Sequence, residues 1–140
     1  HVFAFDIQEQ ALESTADNLK KADCPNNYTL ILDSHHNVKK YVDVPIKAGM
    51  FNLGYLPRSG RKMVTTMRET TMPAVEAALD LLSDDGILLV AVYPGHEEGN
   101  LEGQMLAEYF ATLDRRKICV SRFQIINSPT SPYFFIAEKR

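Results

Sequence analysis

The chain has 140 residues, of which 45% are hydrophobic and 24% charged, and its formal net charge is −3 at pH 7. This length and composition are typical of one soluble globular domain with a real core, and the net charge does not by itself indicate a nucleic-acid-binding protein. No apolar run is long enough to span a bilayer. The two cysteines, Cys24 and Cys119, lie far apart and match no zinc or redox spacing, which predicts reduced thiols in a cytoplasmic protein.

The first part of the chain alternates predicted strands and helices. Residues 2–5 are nearly all apolar and predict a buried strand, which Asp6 ends. Residues 8–21 carry apolar side chains on one side and predict a helix. A second strand is predicted over residues 28–32, a short helix over residues 37–42 and a third strand over residues 47–51.

The second part continues the alternation and ends in two strands. Helices are predicted over residues 68–83 and 102–113, on either side of an apolar strand over residues 87–93. Two closing strands, over residues 118–126 and 133–138, are joined by a connection too short for a crossover helix. The order predicts an α/β fold with a mostly parallel sheet, helices on both faces and a C-terminal antiparallel hairpin.

Polar residues follow four of the predicted strands. Because the carboxyl ends of parallel strands meet at one edge of a sheet, where open α/β sheets bind ligands, we expect these segments to converge. The four segments are Asp6, Asp33-Ser34-His35, Asn52-Leu53-Gly54-Tyr55 and Tyr93-Pro94-Gly95-His96.

Each segment also has a simpler structural interpretation. An acid such as Asp6 accepts hydrogen bonds from ribose hydroxyls in nucleoside-binding folds, but a lone acid at this place more often caps a helix. The loop that contains Asn52 could be an ordinary turn. The neighbours His35 and His36, together with His96, invite a metal interpretation, yet adjacent residues diverge while metal ligands converge on one face, so no metal is predicted.

A basic run follows the asparagine–glycine–tyrosine segment. Such a run can meet RNA phosphates, although a solvated loop explains it equally well. It contains no acid between Pro57 and Glu69, and its cations are Arg58, Arg61, Lys62 and Arg68.

These segments together resemble one bacterial family. The motifs that carry the resemblance extend over essentially the whole chain, and they are Ala4–Glu9, Ser34-His35, Phe51–Pro57, Thr65-Thr66, Glu69–Thr71, Tyr93–His96, Glu98-Gly99 and Glu102. The chain is similar to the family labelled rRNA methylase, which is associated with the tRNA methyltransferase that completes 5-methylaminomethyl-2-thiouridine at the wobble position. The resemblance implies a Rossmann-like class I methyltransferase fold and an S-adenosylmethionine-dependent N-methyltransferase acting on RNA, with tRNA as the expected partner.

The resemblance also implies roles for individual residues. On the cofactor side, Asp6 would hold the ribose hydroxyls, and the remaining expected contacts are Ile7, Gln8, Ser34, His35, Asn52, Leu53 and Gly54. On the reaction side, Asn52 would align the amine, Tyr55 would stabilise the cationic centre and His96 would accept a proton. The expected substrate contacts are Tyr55, Arg58, Arg61 and Tyr93.

Two departures from the family are expected to matter. Family members carry an earlier strand, glycine-containing loop and helix, so we expect these 140 residues to form a single, N-terminally incomplete methyltransferase domain. The absent strand would lie between the Asp6 strand and the Asn52 strand. The family also tends to have Gly-Gly-Asp after Leu56-Pro57, where this chain has Arg58-Ser59-Gly60-Arg61.

Two other functions stay open from the sequence. One is a non-catalytic RNA-binding module that keeps the fold but not the cofactor loop. The other is a metal-dependent hydrolase that uses the histidines. The oligomeric state is not decided either, and a homodimer and a monomer are both compatible with the residues.

Overall fold

The computed structural model describes residues 1–53 and 64–140, with the backbone alone for residues 64–68. Strands and helices alternate along the chain, with one 3₁₀ helix between the second and third strands. The elements are β1 (Val2–Asp6), α1 (Glu9–Lys21), β2 (Tyr28–Leu32), the 3₁₀ helix (His35–Lys40), β3 (Ile46–Asn52), α2 (Val64–Leu81), β4 (Leu82–Val92), α3 (Glu97–Ala111), β5 (Ile118–Phe123) and β6 (Tyr133–Lys139).

The described strands form two sheets. In the smaller sheet β1 and β2 are parallel, and Asp6 lies opposite Leu32. The larger sheet has the order β3-β4-β6-β5, in which β3 and β4 are parallel. The last two strands are antiparallel to each other, and β6 is antiparallel to β4. The predicted α/β fold and its C-terminal hairpin are therefore confirmed.

The core lies against the face of β4 that presents Leu88, Val90 and Val92, each of which is fully buried. Helices α2 and α3 both contribute to this core. The buried cluster consists of Leu53, Val75, Ala78, Leu79, Leu82, Leu88, Val90, Val92, Leu106, Phe110, Phe135 and Ala137. Since apolar side chains here alternate along the strand and recur at helical spacing along α2 and α3, burial follows the sequence pattern.

Two elements, β4 and α3, begin five residues before their predicted starts. Residues 84–86, a turn-forming Asp-Asp-Gly between the helix and the strand predicted from the sequence, lie inside β4, where the pairing moves from Ile46 opposite Leu82 to Ala48 opposite Ile87. The turn residues therefore form an irregularity within the strand, and Asp85 takes a positive φ of 57° there. Helix α3 begins at Glu97, five residues before the predicted start, because His96 caps it.

Across the residues that the structure describes, no helix is both long enough and apolar enough to cross a membrane.

Candidate functional site

The first part of the site is the paired ends of β1 and β2. The Asp6 carboxylate accepts a hydrogen bond from the backbone N–H of Gln8, at 2.8 Å from Oδ1. Gln8 itself is the N-cap residue of α1 and makes no side-chain capping bond. Asp6 thus holds the turn that enters α1 with one oxygen, which leaves Oδ2 as an acceptor at the carboxyl end of a parallel strand. The capping and the ligand-binding interpretations of Asp6 are compatible.

Asp33 organises the segment after β2. Its carboxylate accepts hydrogen bonds from the Asn37 amide at 2.9 Å, from the Tyr41 hydroxyl at 2.8 Å and from the Ser34 backbone N–H at 2.7 Å. These bonds lower the pKa of Asp33 below its ordinary value, and the bond from Asn37 has the largest effect. The neighbouring Ser34 hydroxyl lies 2.7 Å from His36 Nδ1. Asp33 therefore has a structural role that fixes the position of Ser34 and His35.

His35 joins the end of β2 to the end of β3. Its ring meets the Phe51 ring edge to face, with the centroids 5.6 Å apart and the planes at 85°. Its Nε2 atom is buried and has no hydrogen-bond partner among the described residues. Burial, with a smaller contribution from the charge of His36, lowers the pKa of His35 from its ordinary 6.5. The imidazole is therefore neutral at pH 7, and its ring packs against the Phe51 ring at the ends of β2 and β3.

The second part of the site joins the ends of β3 and β4. The Tyr93 hydroxyl donates a hydrogen bond of 2.7 Å to Asn52 Oδ1. The two residues can meet because Asn52 lies opposite Ala91 in the parallel ladder, two residues before Tyr93. The bond orients the Asn52 amide, since its carbonyl oxygen must face Tyr93. The next residue, Leu53, is only 6% exposed and packs its side chain into the core.

His96 is held at the start of α3. Its Nδ1 atom accepts a hydrogen bond of 3.0 Å from the backbone N–H of Gly99. A neutral imidazole that accepts through Nδ1 carries its proton on Nε2. In this arrangement His96 acts as a helix cap, with its Nδ1 lone pair engaged by the Gly99 N–H.

Four of the predicted site residues, Gly54, Tyr55, Arg58 and Arg61, lie outside the described residues. Of the others, the structure places Asp6, Ser34 and His35 along one end of the small sheet and Asn52 and Tyr93 in direct contact. Ile7 is exposed and Gln8 is half-buried at the start of α1.

A buried polar pair next to this edge has no assigned role in the sequence analysis. The Thr71 hydroxyl of α2 donates a hydrogen bond of 2.8 Å to Glu102 Oε1 of α3, and the two residues are 1% and 7% exposed. A buried carboxylate costs free energy unless it is hydrogen-bonded, so this pair fixes how α2 and α3 meet. Both residues belong to the motifs quoted for the resemblance, and this membership was the signal in the sequence that could have identified them as important.

Among the residues described, no group of three or more His, Cys, Asp or Glu side chains is arranged to hold a metal ion.

Comparison with known proteins identifies the family. Residues 2–139 match the family described as "Putative rRNA methylase". The chain belongs to this family. Its fold is the Rossmann-like α/β fold of class I methyltransferases, as its solved relatives show. The family resemblance and the fold class inferred from the sequence are both confirmed.

Two solved structures of relatives superpose closely on the chain. A protein from Clostridium thermocellum described as a putative rRNA methylase has 36% sequence identity and a TM-score of 0.89, and the match covers 100% of this chain and 75% of that one. A putative methyltransferase from Streptococcus mutans, solved in complex with SAH, has 35% identity and a TM-score of 0.85, with coverage of 99% and 75%.

A curated relative has a more specific name. It is the chloroplastic tRNA (mnm(5)s(2)U34)-methyltransferase of Arabidopsis thaliana, which is 32% identical over 148 aligned residues. The match covers all of this chain and 53% of the relative, so the chain spans about half the length of that protein.

Proposed function

We propose that this rRNA methylase family member is an S-adenosylmethionine-dependent N-methyltransferase that acts on RNA and methylates the aminomethyl group of the wobble uridine in tRNA. Family membership supports the methyltransferase class. The name of the Arabidopsis relative supports the tRNA substrate, and the SAH in the Streptococcus mutans relative supports the cofactor.

The observation that carries the proposal is a row of contacts along the carboxyl ends of the strands. Asp6 pairs with the end of β2, the ring of His35 after β2 meets Phe51 of β3, and Asn52 of β3 bonds to Tyr93 after β4. This row supports the proposal, because an acid suited to a ribose, an uncharged ring suited to an adenine and an oriented amide suited to an amine follow one another along one edge.

The described residues fit an adenosyl cofactor. Asp6 retains an acceptor oxygen for ribose hydroxyls, and the neutral, half-buried His35 offers an uncharged ring for contact with the adenine. We propose that Ile7, Gln8 and Ser34 flank the adenosine, and that Asn52, Leu53 and Gly54 line its reactive end. When bound, S-adenosylmethionine supplies an activated methyl group, so the protein has mainly to align and desolvate the acceptor amine.

Asn52 is proposed to align the amine. Its Oδ1 accepts from Tyr93 and keeps a second lone pair, which can accept an N–H of the uncharged aminomethyl group and direct the nitrogen lone pair at the methyl carbon. Tyr93 is then a positioning residue that acts through Asn52. The role of Tyr55 beside the cationic centre, and that of Arg58 and Arg61 on RNA phosphates, are parts of the same proposal.

Proton balance sets the role of His96. Methylation of a neutral secondary or primary amine yields an ammonium that must lose one proton after the transfer. We propose that this proton goes to water or to His96, whose cap bond to Gly99 must then open.

Two measurements on the full-length protein test the proposal. Titration calorimetry with S-adenosylhomocysteine should show one saturable site. Incubation with S-adenosylmethionine and tRNA from a strain that lacks the activity, followed by nucleoside mass spectrometry, should convert the 5-aminomethyl nucleoside to its methylated form. RNA binding without cofactor binding would favour a non-catalytic module, and methylation of rRNA alone would reject the tRNA substrate.

A further inference from the structure

An exposed apolar group lies at the end of β5. The side chains of Phe123, Ile125 and Ile126 are 63%, 49% and 98% exposed. Phe123 stacks on Phe134 of β6, with the ring centroids 5.2 Å apart and the planes at 18°. Isolated exposed apolar residues are common, but three large ones within four positions indicate a surface that binds something.

This group lies at the same edge of the sheet as the candidate site. Strand β6 runs antiparallel to β4, so its first residue, Tyr133, lies opposite Val92, next to Tyr93. Phe123, the last residue of β5, lies opposite Phe134. Since β3, β4, β6 and β5 are consecutive neighbours, Phe123 stands about 14 Å from Asn52, which is three strand spacings.

The connection from β5 to β6 also adjoins the loop that follows β4. A Cβ atom built on Gly95 would lie 3.8 Å from the Thr130 carbonyl oxygen. Within this connection, the hydroxyls of Ser128 and Ser131 lie 2.6 Å apart and form a hydrogen bond. The apolar group therefore continues from the site along one edge of the sheet.

The charge in this part of the chain favours a polyanion. No acid occurs between Asp114 and Glu138, although the whole chain has a net charge of −3. Of the four cations in this interval, Arg122 lies at the end of β5, next to the apolar group in sequence. The other three precede β5 at its opposite end, and one of them, Arg116, is paired with Asp114. The guanidinium of Arg122, the residue before Phe123, lies over the Tyr133 ring, 5.6 Å from its centroid, on the opposite face of β5 from the Phe123–Phe134 stack.

We propose that Arg122, Phe123, Ile125 and Ile126, here called the β5 lip, bind the unpaired RNA nucleotides that flank the target nucleotide. An aromatic face with apolar neighbours suits unstacked bases, and an adjacent arginine suits the backbone phosphate. A second copy of the chain fits less well, because an isologous contact uses the same patch twice, and this patch holds the Arg122 cation and no acid that could pair with it. The inference depends on the proposed RNA substrate and specifies where that RNA is held.

The test compares RNA binding, cofactor binding and turnover for lip variants of the full-length protein. The RNA probe is a fluorescein-labelled tRNA anticodon stem-loop, read by anisotropy. Phe123→Ala should raise its Kd about 5- to 100-fold, because one base loses its stacking partner. Arg122→Gln should remove one phosphate contact. The plot of the logarithm of the RNA association constant against the logarithm of the salt concentration should therefore become less steep by about 1. The Kd for S-adenosylhomocysteine should stay unchanged in both variants.

Two further variants separate binding from folding. Ile126→Ser should also weaken RNA binding, and because this side chain is 98% exposed its loss removes no packing. Val44→Ala is the matched control, since Val44 is 51% exposed and lies before β3, away from the lip. It should leave the Kd for RNA unchanged.

The outcomes separate this inference from the proposed function. If Phe123→Ala and Ile126→Ser both bind RNA with wild-type affinity, the proposed RNA-binding role of the β5 lip is wrong. A change of sedimentation coefficient in these variants without a change in RNA affinity also contradicts that role, because the surface would then join two copies. If the wild-type protein binds the stem-loop but methylates no tRNA, the proposed function is wrong. The binding data for the variants still test whether the β5 lip binds RNA. A wild-type protein that binds no RNA overturns both.

Discussion

At the residue scale, the hydrogen bond from Tyr93 to Asn52 adds most to the sequence analysis. The sequence predicted that both residues lie at the carboxyl ends of neighbouring strands, and that Asn52 offers an acceptor to the amine. The structure shows that the same oxygen already accepts from Tyr93 at 2.7 Å. The amide therefore has one orientation before substrate arrives, which reduces the entropic cost of aligning the reactants.

Removal of the Tyr93 hydroxyl should lower activity through Asn52. Tyr93→Phe should reduce kcat/KM about fivefold to tenfold, because one neutral hydrogen bond contributes about 1 kcal/mol. In an Asn52→Ala background the same change should have no further effect. Steady-state kinetics of the four proteins in this double-mutant cycle provide the measurement.

The control for this cycle is Tyr109→Phe, a hydroxyl removed from a half-buried tyrosine of α3, which should leave kcat/KM unchanged. If the Tyr93 and Asn52 effects on the activation free energy simply add, Tyr93 contacts the substrate itself and is not a positioning residue.

His35 should make the fold less stable in mild acid. Its pKa is lowered in the folded state from 6.5, so the unfolded chain binds the proton more readily. The contribution of His35 to stability is complete above about pH 6.5 and is lost as the pH falls through the lowered value. His35→Phe should therefore flatten the dependence of Tm on pH between pH 7 and pH 5, as measured by differential scanning calorimetry.

The exposed His1 provides the comparison, because His1→Asn should leave that dependence as it is in the wild-type protein. The lowered pKa of Asp33 causes a separate loss of stability that begins below its ordinary value of 3.8, outside this range. An unchanged pH dependence in His35→Phe would show that the burial of His35 has no thermodynamic effect.

At the element scale, the sequence predicted the types of the described helices and strands more reliably than their ends. β2 extends over the predicted residues, because its apolar run has a clear turn before it and an acid after it. The start of α3 was missed, since a histidine cap and two glycines gave no recognisable helix signal. The close approach of α3 to β4 and β6 explains those glycines.

Gly99 should be intolerant of a methyl group. A Cβ atom at this position would lie 2.0 Å from the Tyr93 carbonyl oxygen, which is backbone and cannot rotate away. Gly→Ala within an exposed helix normally stabilises by about 1 kcal/mol. Gly99→Ala should instead destabilise the fold by about 1 to 3 kcal/mol and lower activity, because α3 must shift away from Tyr93.

Urea denaturation of Gly99→Ala and of Asn100→Ala, an exposed neighbour in the same helix, gives the comparison. We expect opposite signs for the two changes in the free energy of unfolding. Stabilisation by Gly99→Ala would show that the contact between α3 and the Tyr93 loop is looser than the structure has it.

At the scale of the whole molecule, one core supports both the helices and the site. Leu53 follows Asn52 and belongs to the same buried cluster as Leu106 of α3, so packing and the position of Asn52 are linked. The buried Thr71–Glu102 pair adds a directional contact between α2 and α3. Neither link was predictable from the sequence, because both join residues that are far apart in the chain.

Truncation of Leu106 should reduce stability more than truncation of an exposed leucine of the same helix. Leu106 is fully buried, so Leu106→Ala should lower the free energy of unfolding by about 2 to 5 kcal/mol. Leu101 is 38% exposed, and Leu101→Ala should cost less than about 1 kcal/mol. Equal losses in urea denaturation would show that α3 is not packed on the sheet as described.

The sequence by itself determined the order of elements, the fold class and the family, since these depend on local apolar periodicity, turn residues and short motifs. It also indicated the strand ends that make up the candidate site. Only the tertiary structure decided that His35 packs against Phe51, that Tyr93 orients Asn52 and that His96 caps α3. Rings that pack across strands and hydrogen bonds between distant residues depend on strand register and helix placement, and these are set by packing of the whole chain.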